Sequence, residues 1–257
     1  MSEKQMIGAE ALLQCLEKAG IEIMFGLPGG AAIPLFDALY QLKGKIKFVL
    51  TRHEQNAAHE ADGYARATGK PAAVLVTSGP GAANTVTGIM TAYMDSVPMI
   101  VITGQSVRGM LGKDAFQEAD IFNLTMPIVK HSYLLKSAND IPRVVKEAYH
   151  IATTGRPGPV LIDVPKDVGT ELCTAALDAE MNLPGYKPEK RGYLPETLDF
   201  IADALAKAKR PVIIAGHGAA LSRAEKELRE LAEKLQIPVT STLLGKGVFP
   251  DSHKLSL

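Results

Sequence analysis

Thr51-Arg52-His53-Glu54-Gln55-Asn56-Ala57-Ala58-His59-Glu60-Ala61-Asp62-Gly63-Tyr64-Ala65-Arg66-Ala67 follows directly on Lys45-Ile46-Lys47-Phe48-Val49-Leu50. The upstream run alternates as a strand does, and from Glu54 onward Ala57, Ala58, Ala61 and Ala65 recur at helical spacing. A strand therefore hands over to a helix here, with Glu54 on the first helical turn. A carboxylate in that place is stabilised by the helix dipole whatever else it does. It also stands where a parallel α/β sheet binds its ligands, outside the carboxyl ends of the strands. The stripe of alanines permits close approach of another backbone, which suits an ordinary core as well as a domain or subunit interface.

The same alternation extends on both sides. Helical patterns cover 7–19, 31–42, 82–93 and 141–154, and short apolar strands cover 21–25, 46–50, 72–77, 99–103, 132–135 and 160–164. Strands separated by helices predict a parallel sheet covered on both faces, a doubly wound α/β domain over residues 1–164. From 165 to 194 the periodicity dissolves into Pro184-Gly185-Tyr186-Lys187-Pro188 and charged residues, the composition of a linker. A second α/β domain is expected from 195 to 257, with helices at 197–208 and 224–235 and strands at 211–215 and 238–241. Two βα units bury little, so this region is expected to be the incomplete start of a central domain.

Composition narrows the classes. With 257 residues, 46% of them hydrophobic, the chain can bury a sizeable core. Its 28 basic and 28 acidic residues balance to a formal charge of zero and form no basic block, so no nucleic acid or anionic membrane is called for. Cys15 and Cys173 lie far apart and the six His are scattered, which indicates neither a disulfide framework nor a metal site. The amino terminus has no apolar signal core and no run is long enough to span a bilayer; a cytoplasmic protein is expected.

Loops at predicted strand ends carry the chemistry. Phe25-Gly26-Leu27-Pro28-Gly29-Gly30-Ala31 is either a plain turn or a place where backbone meets a ligand closely. It lacks the spacing of a dinucleotide fingerprint. Thr77-Ser78-Gly79-Pro80-Gly81-Ala82-Ala83-Asn84 is a poor phosphate cradle, because Pro80 removes a backbone donor and no Lys follows. A flat ring against Pro80 with a polar contact from Asn84 suits it better. The third segment runs from Thr103-Gly104-Gln105 through Asp114-Ala115-Phe116-Gln117-Glu118, with an aromatic beside an amide, as in a substrate pocket.

These segments, with Arg52-His53-Glu54, Asp62-Gly63-Tyr64-Ala65-Arg66, Asp95-Ser96-Val97-Pro98, Gly155-Arg156-Pro157-Gly158-Pro159-Val160 and Asp163-Val164-Pro165-Lys166-Asp167-Val168, resemble the catalytic large subunit of the acetolactate synthase (acetohydroxyacid synthase) family of thiamine-diphosphate enzymes. The resemblance runs over essentially the whole chain. It implies a pyrimidine-binding first domain, followed by the start of a FAD-binding central domain. It further implies condensation of pyruvate with a second 2-oxo acid to a 2-acetyl-2-hydroxy acid with loss of CO2, in branched-chain amino-acid biosynthesis. Pyruvate oxidase and 2-oxo acid decarboxylases share parts of the pattern, and a non-catalytic remnant that only binds partner subunits is the reading from another class.

By the same resemblance Glu54 hydrogen-bonds the aminopyrimidine, Pro80 and Asn84 contact that ring, and Gly30 falls beside the thiazolium. Phe116, Gln117 and Lys166 line the substrate pocket or its entrance, and Arg156, Gly216-His217-Gly218 and Thr242-Leu243 fall where the family holds FAD. A carboxyl in a dry site favours the imino form of the ring it bonds, which makes that ring a base. The resemblance also implies a homodimer or tetramer through the first domain, with a small regulatory subunit as a further partner. The Gly-Asp-Gly segment and paired Asn with which the family holds Mg2+ and diphosphate do not occur in the chain. The chain by itself is therefore expected not to be competent.

Overall fold

The structure, a computed structural model, describes residues 6–188 and 194–257. Two compact units divide the chain, Met1–Glu189 and Lys190–Leu257.

The first unit is built on six parallel strands in the order Lys47–Leu50, Ile23–Gly26, Ala72–Val76, Met99–Gln105, Pro159–Pro165, His131–Leu134. Successive side chains of a strand point to opposite faces, and here both faces are packed. Ala73, Leu75, Ile100, Ile102, Val160, Ile162 and Val164 join one buried cluster with the helices Gly8–Ala19, Ile33–Gln41 and Ile141–Thr153. Ala72, Val74, Val76, Met99, Val101 and Leu161 join the other with the helices Glu54–Thr68 and Val86–Met94. Two-sided burial is why the central strands read as continuous apolar runs. The expected doubly wound α/β architecture is what the unit has.

The alanine stripe now has its place. Ala57, Ala58, Ala61 and Ala65 are buried, and a Cβ added to Gly88 would come within 2.4 Å of Ala58 Cβ, so the helices Glu54–Thr68 and Val86–Met94 touch nearly backbone to backbone. Farther along, Arg66 donates to Asp62 at 2.8 Å and to Asp95 at 2.7 Å, tying the carboxyl end of one helix to that of the other.

Three elements differ from expectation. The helix expected at 82–93 is two pieces, Pro80–Ala83 and Val86–Met94, broken where Asn84 turns toward Glu54. The helix expected at 31–42 begins as a 3-10 turn, Gly30–Ala32, before Ile33–Gln41. The segment expected as a linker at 165–194 is largely part of the first unit. Lys166–Thr170 is helical, Leu172–Cys173 pairs antiparallel with Met6–Ile7, and Leu177, Leu183 and Tyr186 pack on the first core. Glu147, 1% exposed, accepts from the Asn182 amide at 2.7 Å, and Tyr186 donates to the Thr154 carbonyl at 3.0 Å. Apolar contacts spaced without period hold this segment, which is why no pattern announced it. Residues 189–193 of the expected linker lie outside the described residues.

The second unit holds two parallel strands, Ile213–Ala215 and Val239–Ser241, with the helices Pro195–Lys207, His217–Leu221 and Glu225–Leu235. Its core is small, Ala215, Ala232, Val239, Val248 and Phe249. The helix Pro195–Lys207 buries none of its residues and leaves Phe200 73% exposed. No helix among the described residues is long and apolar enough to cross a membrane.

Candidate active site

The strand Ile23–Gly26 leads to a helix on one face of the sheet, and its neighbour Ala72–Val76 leads to a helix on the other. Adjacent strands whose connections leave in opposite directions open a crevice at their carboxyl ends. The two glycine-bearing loops meet in that crevice. A Cβ on Gly29 would lie 2.5 Å from Thr77 Cβ, and the Ala31 amide donates to Thr77 Oγ1 at 3.3 Å. On the other flank a Cβ on Gly104 would lie 3.0 Å from Ala32 N. Only glycine lets these backbones pass so closely. A Cβ on Gly30, by contrast, would meet nothing within 4 Å, so Gly30 borders open space.

Glu54 enters from the next strand. Thr51 anchors the turn, its amide and hydroxyl both donating to the Gly26 carbonyl, at 2.9 and 3.1 Å. His53 caps the helix by accepting from the Gln55 amide at 3.1 Å, which leaves Glu54, 8% exposed, in the first turn. Asn84 Nδ2 donates to Glu54 Oε2 at 2.9 Å, and Oε1 lies 3.0 Å from where a Cβ on Gly81 would be. Among the described residues no other side chain donates to this carboxylate. Pro80 stands at the start of its short helix on the same loop.

The loop after Met99–Gln105 closes the rim. Gly79 has φ +57°, and a Cβ on it would lie 2.5 Å from the Gln117 carbonyl oxygen, so the Thr77–Pro80 turn and the Phe116–Gln117 segment are in contact. Phe116 is 88% exposed. Lys166 is exposed at the start of its helix, directly after the strand Pro159–Pro165, and the neighbouring Asp167 takes a two-bond clamp from Arg108, at 3.0 Å from the amide and 2.7 Å from Nε. That guanidinium holds the Asp167 carboxyl below its usual range against the opposing effect of partial burial.

Glu54, Asn84, Pro80, Gly30, Gln117, Phe116 and Lys166 thus gather along the carboxyl edge of one sheet. Arg156 does not join them. It precedes the strand Pro159–Pro165, at the amino edge, and its guanidinium is engaged by Ser96 Oγ at 2.7 Å and the Met94 carbonyl at 3.0 Å. In the second unit Gly216, His217 and Gly218 follow one parallel strand and Thr242 and Leu243 follow the other, with the Thr242 amide donating to the Ala215 carbonyl at 2.9 Å. No group of three or more His, Cys, Asp or Glu suited to a metal ion occurs among the described residues.

The sequence places Thr77, Thr103, Gln105 and Asp163 in the quoted segments but gives none of them a role of its own; in the structure Gly29 and Gly81 both pack against Thr77, and Thr103, Gln105 and Asp163 form a buried set. A lone carboxylate inside Val160-Leu161-Ile162-Asp163-Val164 was the available signal for the latter.

Residues 6–124 match the family model described as thiamine pyrophosphate enzyme, N-terminal TPP binding domain, and residues 198–257 match the model described as thiamine pyrophosphate enzyme, central domain. The chain belongs to the thiamine pyrophosphate enzyme family. Within it, the chain is similar to acetolactate synthases: it is 50% identical over 262 residues to the acetolactate synthase of Arthrospira platensis, covering 99% of this chain and 44% of that protein. It is 51% identical over 255 residues to the acetolactate synthase large subunit of Lactococcus lactis, covering 99% of this chain and 44% of that one. To the probable acetolactate synthase large subunit of Methanocaldococcus jannaschii it is 50% identical over 255 residues, covering 98% and 43%. The chain spans less than half the length of the curated relatives it matches.

Proposed function

We propose that the first unit holds the pyrimidine half of thiamine diphosphate, and that with the remaining length its relatives possess the protein condenses pyruvate with a second 2-oxo acid as an acetolactate synthase. The observation that carries this is Glu54: a nearly buried residue at the topological switch point whose carboxylate is oriented by Asn84 and, among the described residues, takes no other side-chain donor. The residues fit the group. Glycines at 29, 79 and 81 remove side chains where a Cβ would collide, and the open space beside Gly30 leaves room for a ring. When bound, thiamine diphosphate supplies the electron sink on which a 2-oxo acid loses CO2 before its remainder is passed to an acceptor.

The chain's own work is positioning and proton control. Asn84 fixes the Glu54 carboxylate in one rotamer, so that its free oxygen makes a charge-assisted hydrogen bond to a ring nitrogen without reorganising. Thr77, by taking the Ala31 amide and packing on Gly29 and Gly81, sets the width of the slot. Phe116, Gln117 and Lys166 ring the mouth, where an aromatic, an amide and a cation suit a small 2-oxo carboxylate.

Mg2+ and the diphosphate belong in this proposal to sequence beyond the matched portion of the relatives. FAD is assigned to the second unit through Gly216, His217, Gly218, Thr242 and Leu243. A homodimer or tetramer formed through the first unit, with a small regulatory subunit as a further partner, is part of the same proposal. The test is Glu54→Gln in the protein completed by the diphosphate-binding part. Acetolactate formation is expected to fall by about a hundredfold or more with the fold intact, the loss typical of a missing acid–base group. Near-normal turnover would overturn the assignment.

A further inference from the structure

Asp163 is 1% exposed in the middle of the parallel sheet, where an apolar residue would cost nothing. It sits in register with Thr103 on the neighbouring strand, and Gln105 follows two residues on, on the same face. Thr103 Oγ1 donates to Asp163 Oδ1 at 2.7 Å and Gln105 Nε2 donates to Oδ2 at 2.9 Å. The same Gln105 Nε2 also donates to the Ala119 carbonyl at 2.8 Å, while its Oε1 accepts from the Ser106 amide at 2.9 Å. Gln105, itself 3% exposed, therefore holds both ends of the loop that lies between Ser106 and Ala119, and Asp163 holds Gln105.

That loop needs holding from its ends. Asp114 and Gln117 both have φ +54°, a left-handed conformation that side-chain-bearing residues adopt at a cost. Phe116 projects into solvent and the loop buries little of its own surface. Inside the loop Glu118 accepts from the Gly112 and Ala115 amides and Lys113 Nζ donates to the Gly109 carbonyl at 2.7 Å, while Arg108 ties its first turn to Asp167 and leaves the stretch around Gln117 to be held from the Ala119 end. The strained Gln117 backbone rests against Gly79, beside the Glu54 slot.

We propose that Asp163, acting through Gln105, is a positioning residue that fixes the 106–119 loop and so presents Phe116 and Gln117 at the rim of the Glu54 site. The role of that rim rests on the function proposed above; the fixing of the loop does not. Burial pushes the Asp163 carboxyl up to about 7 against the lowering effect of its two donors, a cost that a merely space-filling residue would not carry.

Amide hydrogen exchange on the 257-residue chain tests this. In Gln105→Ala and in Asp163→Ala, exchange at Ser106, Gly112 and Ala115 is expected to rise by about tenfold or more, with the helix Glu54–Thr68 and the strand Ala72–Val76 unchanged and the double variant no looser than either single one. Thr103→Val removes the other bond of Asp163 without touching Gln105, and should leave loop exchange within about twofold of the original. Equal loosening by Thr103→Val, a rise spread over the whole unit, or no rise in Gln105→Ala would each overturn the proposal. Should Asp163→Ala fail to fold, the contrast between Gln105→Ala and Thr103→Val decides. In the completed enzyme Gln105→Ala should raise KM for pyruvate more than it lowers kcat. A loosened loop with unchanged KM would uphold the positioning and overturn instead the pocket role of Phe116 and Gln117.

Discussion

Asn84 Nδ2 donates to Glu54 Oε2 at 2.9 Å across a separation of 30 residues, joining the loop after one strand to the helix after another. The break between Pro80–Ala83 and Val86–Met94 is what frees Asn84 to do so. A continuous helix would have no reason to turn that amide toward the carboxylate.

The pairing predicts a graded loss. In the completed enzyme Asn84→Ala removes one hydrogen bond to a charged group, worth about 1.5–3 kcal/mol, so turnover should fall roughly tenfold to a hundredfold while Glu54→Gln falls further. Steady-state acetolactate assays on both variants, with circular dichroism as a check on folding, settle the order. Asn84→Ala losing more than Glu54→Gln would contradict it.

Gly29 and Gly30 are adjacent but should answer to substitution in opposite ways. Gly29→Ala drives a Cβ into Thr77 and is expected to destabilise the first unit by about 1–3 kcal/mol. Gly30→Ala meets nothing and should leave stability within about 0.5 kcal/mol, yet a larger Gly30→Val should weaken thiamine diphosphate binding by occupying the slot. Urea titrations of the chain and calorimetric titration of the completed protein separate the two effects.

A buried carboxylate predicts a pH signature. Asp163 titrates near 7 when folded and at an ordinary 3.8 when unfolded, so between those values the native state binds the extra proton. Stability from this group is therefore fully present below about 4 and is lost as pH rises toward 7. Desolvation is the chief cause, and the Asp120 charge adds to it; Glu118, Asp120 and Lys136 line a cavity of about 510 Å3 together with Asp163 and Gln105. Glu118 and Asp167 are shifted downward and act with the opposite sign, so the quantity to measure is the difference between the original chain and Asp163→Asn. Relative to the original, the variant should gain stability as pH goes from 5 to 8, and a flat difference would count against the buried charge.

Glu147 offers a test of what holds residues 172–186. Its carboxylate accepts from Tyr133 at 3.0 Å, Arg143 at 3.0 Å and the Asn182 amide. Glu147→Ala strands those donors and should cost about 3 kcal/mol, as breaking a buried pair does, with exchange rising first in 177–186. Retained protection there would mean that apolar packing alone suffices.

The second unit should be the weaker partner in denaturant. A small apolar core and a helix that buries none of its side chains predict melting ahead of the first unit, and the 257-residue chain should purify without stoichiometric flavin. A single coincident transition, or a yellow chain, would contradict this.

Strands in the middle of the sheet were legible because burial on both faces leaves a run such as Val74-Leu75-Val76 no polar interruption. Glu54 was legible as a carboxylate at a strand-to-helix handover, and the structure adds that it is nearly buried and paired. What stayed hidden depended on contacts between distant segments. Nothing local to Leu177, Leu183 or Tyr186 says that a sheet lies beside them, and nothing local to Asn84 says that Glu54 does. Asp163 gave a hint, a charge inside an apolar strand, but its purpose depends on Gln105, 58 residues away in sequence.

The two-residue ladder between Met6–Ile7 and Leu172–Cys173 ties the first described element of the first unit to nearly its last. On a ribosome the amino-terminal half of that clasp is made early and must wait, unpaired, until the whole intervening sheet has emerged. Final closure of this unit is thereby set to coincide with completion of its synthesis, because contacts of such long sequence separation form only after the loop between them is ordered.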